Sequence, residues 1–180
     1  KRNKQLFFEK KGVVGKQAPS YTLLSLTLNG VIPRDLDNPK GKFPAEFDTY
    51  KKVQPNDMVF CLFDVEETPR TVGLARHVGM ITGAYTVVEC FDPSLAGYLS
   101  YFYTALDDEK MLRPFYTGLR NVIQRNTFFG LQVPIPPENE RQEIVEYIDS
   151  VIHDTAQLAE KAKQEVISLQ EFKNTLVASA

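Results

Sequence analysis

The chain has 180 residues, 43% of them hydrophobic and 24% charged, with a formal net charge of −2. That balance excludes a wholly disordered chain and is enough for one buried core. No segment reaches the ~18 apolar residues of a membrane-spanning helix, and Lys1-Arg2-Asn3-Lys4 lacks the apolar stretch of a secretory signal behind it.

The charge is unevenly placed. Residues 1–134 hold 17 Lys and Arg against 14 Asp and Glu, whereas residues 135–180 hold 4 against 9. A basic front can meet phosphates that an acidic tail would repel. Basic residues crowd the beginning, where Lys1, Arg2, Lys4, Lys10, Lys11 and Lys16 face only Glu9.

Taken in order, residues 1–20 are polar and broken by Gly12, Gly15 and Pro19. Residues 21–28 partly alternate apolar with hydroxyl side chains, which predicts a half-buried strand closed by Asn29-Gly30. Residues 33–56 carry Pro33, Pro39, Gly41, Pro44 and Pro55 amid charges and predict a loop-rich stretch with at most short elements. Residues 57–63 predict a buried strand, and residues 81–82 and 85–91 further strands around Gly83. Asp92-Pro93-Ser94 opens a helix, because proline suits a first turn whose N–H groups have no intrahelical partner. Tyr98, Tyr101 and Phe102 then fall at helical spacing and predict packing rather than a base-stacking platform. Residues 131–136 predict an edge strand, the one place where Pro134 and Pro136 are tolerated.

Residues 138–180 contain neither glycine nor proline. Ile144, Ile148, Val151, Leu158, Leu169, Phe172 and Leu176 recur at four-three spacing, with Thr155, Ala162 and Glu165 interrupting the seam. This predicts a single long coiled-coil-forming helix that needs a partner for its apolar stripe. The expected class is α+β, with a mixed-sheet globular domain over residues 1–136 and the long helix over 137–180. Lys1 in place of an initiator methionine, and a helical pattern still running at Ala180, predict a piece of a longer chain.

Catalytic signatures are missing. There is no glycine-rich phosphate loop, no Gly-x-Ser-x-Gly elbow, no His-Glu-x-x-His and no glycine-rich cofactor turn. Asp35, Asp37, Asp64, Glu66 and Glu67 fall in polar loop contexts, where solvated carboxylates are the expectation. Cys61 and Cys90 sit in apolar runs as buried thiols, and His77 and His153 have no nearby metal partner in sequence. No catalytic residue, metal or cofactor is expected.

What remains is a set of cations and amides able to contact DNA: Lys10, Lys11, Lys16, Asn29, Arg34, Lys42, Arg70, Arg76, Arg120, Asn121 and Arg125. Arg pairs bidentately with guanine and Asn with adenine, while Lys mostly meets phosphate. Two other classes stay open, a DNA-modifying or DNA-cleaving enzyme and a protein-binding adaptor on a coiled-coil stalk.

At the junction stand Gly118-Leu119-Arg120, then residues 129–137 (Phe-Gly-Leu-Gln-Val-Pro-Ile-Pro-Pro) and residues 140–149 (Glu-Arg-Gln-Glu-Ile-Val-Glu-Tyr-Ile-Asp). Upstream lie Leu24-Ser25-Leu26, residues 29–34, residues 53–59 and residues 79–87. In order and spacing these resemble the specificity subunits of Type I restriction-modification systems. Asn56 stands where that family usually has glycine, and Arg141 where it often has glutamine.

The resemblance implies a non-catalytic, cytoplasmic protein that reads one half of a split duplex DNA site. It also implies a docked modification (methyltransferase) subunit and, through the complex, a restriction subunit. S-adenosylmethionine and ATP would then sit on those partners. A full specificity subunit resembles two such units in tandem, so a second half or a second copy is expected to join through the long helix.

Overall fold

The computed structural model describes residues 1–34 and 47–178, in two compact units, Lys1–Pro136 and Pro137–Ala180. The first unit is built on an antiparallel sheet of four short strands. Its order is β1 (Phe7–Glu9), β8 (Thr86–Cys90), β5 (Met58–Phe60) and β6 (Val72–Leu74). The central strand β5 is buried at all three residues, so its sequence is a continuous apolar run rather than an alternation.

Among the described residues three two-stranded ribbons join the sheet: β2 (Leu24–Thr27) with β3 (Gly30–Pro33), β4 (Lys51–Val53) with β7 (Gly79–Ile81), and β9 (Tyr116–Thr117) with β10 (Val122–Ile123). Parallel bridges Leu23–Met80 and Val31–Ala75 knit the first ribbon to its neighbours. That approach is close. A Cβ on Gly79 would lie 2.5 Å from the Thr22 carbonyl oxygen, so only glycine fits there.

Two clusters of the core bear on the site. Leu24, Val31, Val53, Val59, Ala75, Ile81 and Val87 fill the space among the ribbons and the sheet. Phe7, Phe60, Tyr103 and Phe128 form an aromatic cluster, with Phe60 centred 5.0 Å from Tyr103 and 4.7 Å from Phe128. Tyr103 comes from α1 (Ala96–Asp108) and Phe128 from α2 (Arg125–Gly130). Asn3 is fully buried among them, donating to the Phe128 carbonyl at 2.8 Å and accepting from the Tyr103 hydroxyl at 2.7 Å.

The predicted helix start is present: Asp92 accepts from the Ser94 N–H at 3.0 Å, with Pro93 in the first turn. Tyr98 is buried and Phe102 half-buried, as expected of packing aromatics.

The polar opening contains β1, and the proline-rich stretch contains one short element among the described residues, β4, each three residues long. One expectation changes. Residues 131–136 form no strand. Gln132 makes a single bridge to Arg2, since Pro134 and Pro136 have no N–H to extend a ladder.

The second unit is one helix, α3 (Glu138–Ala178), of 41 residues and therefore about 60 Å long. Glu138 and Glu140 occupy its first turn, where the dipole favours negative charge. No residue of α3 is buried; Val151, Leu158, Leu169, Phe172 and Leu176 are each at least 45% exposed. Ile144 and Ile148 are half-buried.

Candidate nucleic-acid interface

The structure sorts the cationic candidates by what holds them. Lys10 donates to both Asp57 oxygens, at 3.0 and 2.7 Å, and the Asp57 side chain is only 1% exposed. Arg70 is likewise held inward, by Asp108 at 2.7 Å and by the buried Asp107 at 3.4 Å. These two cations neutralise carboxylates that would be costly to bury alone.

Arg120 and Arg125 are paired at the surface instead. Arg125 donates to Glu9 at 2.6 Å and lies 4.8 Å from the Phe129 ring centre. Arg120 grips Asp64 through Nε and Nη2 and lies 5.3 Å from the Phe63 ring centre. The Arg120 guanidinium beside Asp64 holds that carboxyl below the usual carboxylate range. Asn121, adjacent, takes a positive φ of 46° at the end of the β9–β10 turn.

Lys11, Lys16 and Arg76 are exposed and carry no ion pair among the described residues. Lys11 and Lys16 flank a segment laid along β4 by the Val14 N–H to Tyr50 carbonyl bond (2.8 Å) and the Lys52 N–H to Gly12 carbonyl bond (3.0 Å). Lys52 joins them, its ammonium 3.2 Å from Gln17 Oε1 and 5.5 Å from the Tyr21 ring centre. Sequence reasoning missed Lys52; only its pairing in β4 reveals that it shares a surface with Lys11 and Lys16.

Backbone pairing leads from this strip to the other candidates. Lys52 faces Met80 across the β4–β7 ladder, Met80 bridges Leu23, and the Leu23 carbonyl accepts from the Arg34 N–H at 2.8 Å. Val31 bridges Ala75, the neighbour of Arg76. Asn29 is exposed in the β2–β3 turn, and Lys42 lies outside the described residues.

Between these elements opens a groove of about 750 Å³, lined in part by Ser25, Thr27, Arg34, Tyr50, Thr82 and Tyr85. Thr27 Oγ1 already donates to the Gly30 carbonyl at 3.0 Å; the hydroxyls of Ser25, Tyr50, Thr82 and Tyr85 offer donors for phosphate or for base edges, and burial pushes the Tyr85 phenol up, keeping it protonated.

Neither thiol is arranged as a nucleophile. Burial pushes Cys90 up to about 12 and also raises Cys61, whose Sγ lies 3.2 Å from the Phe63 carbonyl oxygen. The buried carboxylates Asp57 and Asp107 each face a cation. Among the described residues no three His, Cys, Asp or Glu side chains gather to hold a metal, and no helix is long and apolar enough to cross a membrane.

No protein-family model matches the chain, and no curated protein matches it. Solved structures do. The HsdS subunit from Thermoanaerobacter tengcongensis aligns over 88% of this chain and 38% of its own, with 19% identity and a TM-score of 0.50. A chain from a structure on complex assembly and conformational transition of the type I R-M system aligns over 59% of this chain and 25% of its own, with 21% identity and a TM-score of 0.47. The chain therefore spans well under half the length of either. The HsdS likeness shows the fold, a mixed α+β body followed by a long helix.

Proposed function

We propose that this chain is the DNA-reading half of a Type I restriction-modification specificity subunit, non-catalytic and cytoplasmic. Its first unit would read one half of a bipartite duplex site. The observation that carries this reading is a set of cations without acid partners among the described residues, exposed Lys11 and Lys16 with half-buried Lys52 along β4 and exposed Arg76 in the β6–β7 turn, on a body with the HsdS fold and a hydroxyl-lined groove. Cations without acid partners can exchange counterions for DNA phosphates, which is where most protein–DNA affinity originates. The groove then supplies groups able to read base edges.

The helix α3 gives the reading its second half. Its unburied stripe suits pairing with an equivalent helix, from a second copy or from a second half of a longer subunit. Two copies related by a two-fold axis would read a symmetric interrupted site, because operator symmetry mirrors protein symmetry. The paired helices would also dock the modification subunit and, through it, the restriction subunit. Methyl transfer and ATP-driven chemistry belong to those partners, with S-adenosylmethionine and ATP bound there.

Fluorescence anisotropy of the full chain with labelled duplex DNA, titrated at several salt concentrations, tests the proposal. Engagement of four phosphates predicts a log–log slope of about −3.6 with salt. A chain without salt-dependent affinity for any duplex would be a protein-binding adaptor instead.

A further inference from the structure

The β9–β10 hairpin ends in Gly118-Leu119-Arg120-Asn121, and Leu119 at its tip is 104% exposed. An isolated exposed leucine needs no explanation by itself. This one is held out by a braced frame. The Asp64 N–H donates to the Arg120 carbonyl at 2.7 Å, the Ile123 N–H to the Leu62 carbonyl at 2.9 Å, and Thr117 Oγ1 to the Val122 carbonyl at 2.9 Å. Asp64 and Asn121, neither of them glycine, both take positive φ, at 48° and 46°. Such conformations cost energy and persist where the surroundings over-determine them.

The guanidinium of Arg120 is fixed in the same frame. Asp64 takes its side edge, Nε and Nη2, and the Phe63 ring lies 5.3 Å away. A guanidinium carries five N–H groups in a planar fork. With the side edge occupied, the end edge, one hydrogen on Nη1 and the second on Nη2, has no partner among the described residues. Those two parallel donors match the O6 and N7 acceptors that guanine presents in the major groove.

Asp64 also decides which DNA group suits the site. Its carboxylate repels a phosphate brought to the same guanidinium, whereas a neutral guanine edge meets no such penalty. Arg120 thus differs in kind from Lys11, Lys16 and Lys52, which offer bare positive charge.

The geometry points to Arg120 as a guanine reader pre-oriented by Asp64, with Leu119 packing on the neighbouring base. This rests on the DNA-reading function proposed above and adds a base class and a positioning residue to it. Leu119 suits the methyl of an adjacent thymine, an apolar contact of the kind that discriminates bases. Asp64 acts through Arg120 and touches no base.

The test selects bound duplexes from a pool with a randomised central segment, using the full chain and the variants Arg120→Lys, Asp64→Asn and Leu119→Ala. The wild type should enrich a motif with a fixed guanine, and replacing that guanine by 7-deazaguanine, which lacks the N7 acceptor, should weaken binding about five-fold or more. Arg120→Lys keeps the charge but loses the fork. It should abolish the guanine preference while the other enriched positions of the motif persist. Asp64→Asn should bind the pool as well or better and prefer guanine less, an outcome that loss of fold would not produce. Leu119→Ala should relax the neighbouring position only. If Arg120→Lys keeps the wild-type motif, or 7-deazaguanine changes nothing, guanine reading by Arg120 is wrong while DNA reading stands. An Asp64→Asn motif identical to the wild type would remove the positioning role. No enriched motif for the wild type would overturn both this inference and the function it rests on.

Discussion

Lys10 donates to both oxygens of Asp57 across 47 residues of sequence, and the Gln54 N–H donates to the same carboxylate at 2.7 Å. A lysine that the sequence marks for phosphate is thereby a structural counter-ion. Removing it leaves a buried charge without its counter-ion, because Asp57 is 1% exposed. Lys10→Ala should destabilise the fold by about 3–5 kcal/mol and leave the salt slope of DNA binding unchanged, read by urea unfolding and anisotropy. A changed slope with unchanged stability would return Lys10 to the DNA surface.

The lysine strip along β4 should behave in the opposite way. Lys11→Gln, Lys16→Gln and Lys52→Gln should each lower the magnitude of the log–log salt slope by about one and weaken all duplexes alike. Unfolding midpoints should hardly move, since surface substitutions of this kind stay within about 0.5 kcal/mol. A variant that altered sequence preference instead of slope would make its lysine a base reader.

Cys90 gives the fold an alkaline limit. Its ordinary value of 9.0 is pushed up to about 12 by burial, with Asp92, Glu89 and Asp57 adding like charge nearby. The folded state therefore holds the proton more tightly than the unfolded state does. Stability is complete below about pH 9 and declines as pH rises toward 12. Cys90→Ala should flatten that decline in chemical unfolding followed from pH 8 to 11. At pH 8 neither thiol of the native chain should react with a disulfide reagent, and both should react once it is unfolded.

The helix offers a test by mass. Light scattering of the chain alone should give about twice 20.4 kDa if α3 pairs with its copy. Leu158→Glu with Leu169→Glu should return it to the monomer without altering the unfolding of the first unit, because neither residue is buried. A dimer that survives both substitutions would place the contact elsewhere.

The long helix was readable from sequence because its signal is local. Forty-one residues without glycine or proline, with an apolar stripe at helical period, admit few other structures. Strand β5 was readable for a similar reason, as a short apolar run between turn residues. Strands β1 and β4 were not, since three residues are too few to show alternation, and their partners lie at Val88–Cys90 and Gly79–Ile81.

The site divides along the same line. Sequence by itself determined that this chain carries many cations ahead of an acidic helix, with arginine and asparagine beside Gly118. Which candidate cations face solvent was decided only by tertiary structure, because the acid partners of Lys10, Arg70, Arg120 and Arg125 lie 37 to 116 residues away. Ion pairing depends on distance in space, and no periodicity along the chain encodes it. Only folding places Asp64 against Arg120, 56 residues away, and leaves Lys11, Lys16 and Arg76 without an acid partner among the described residues.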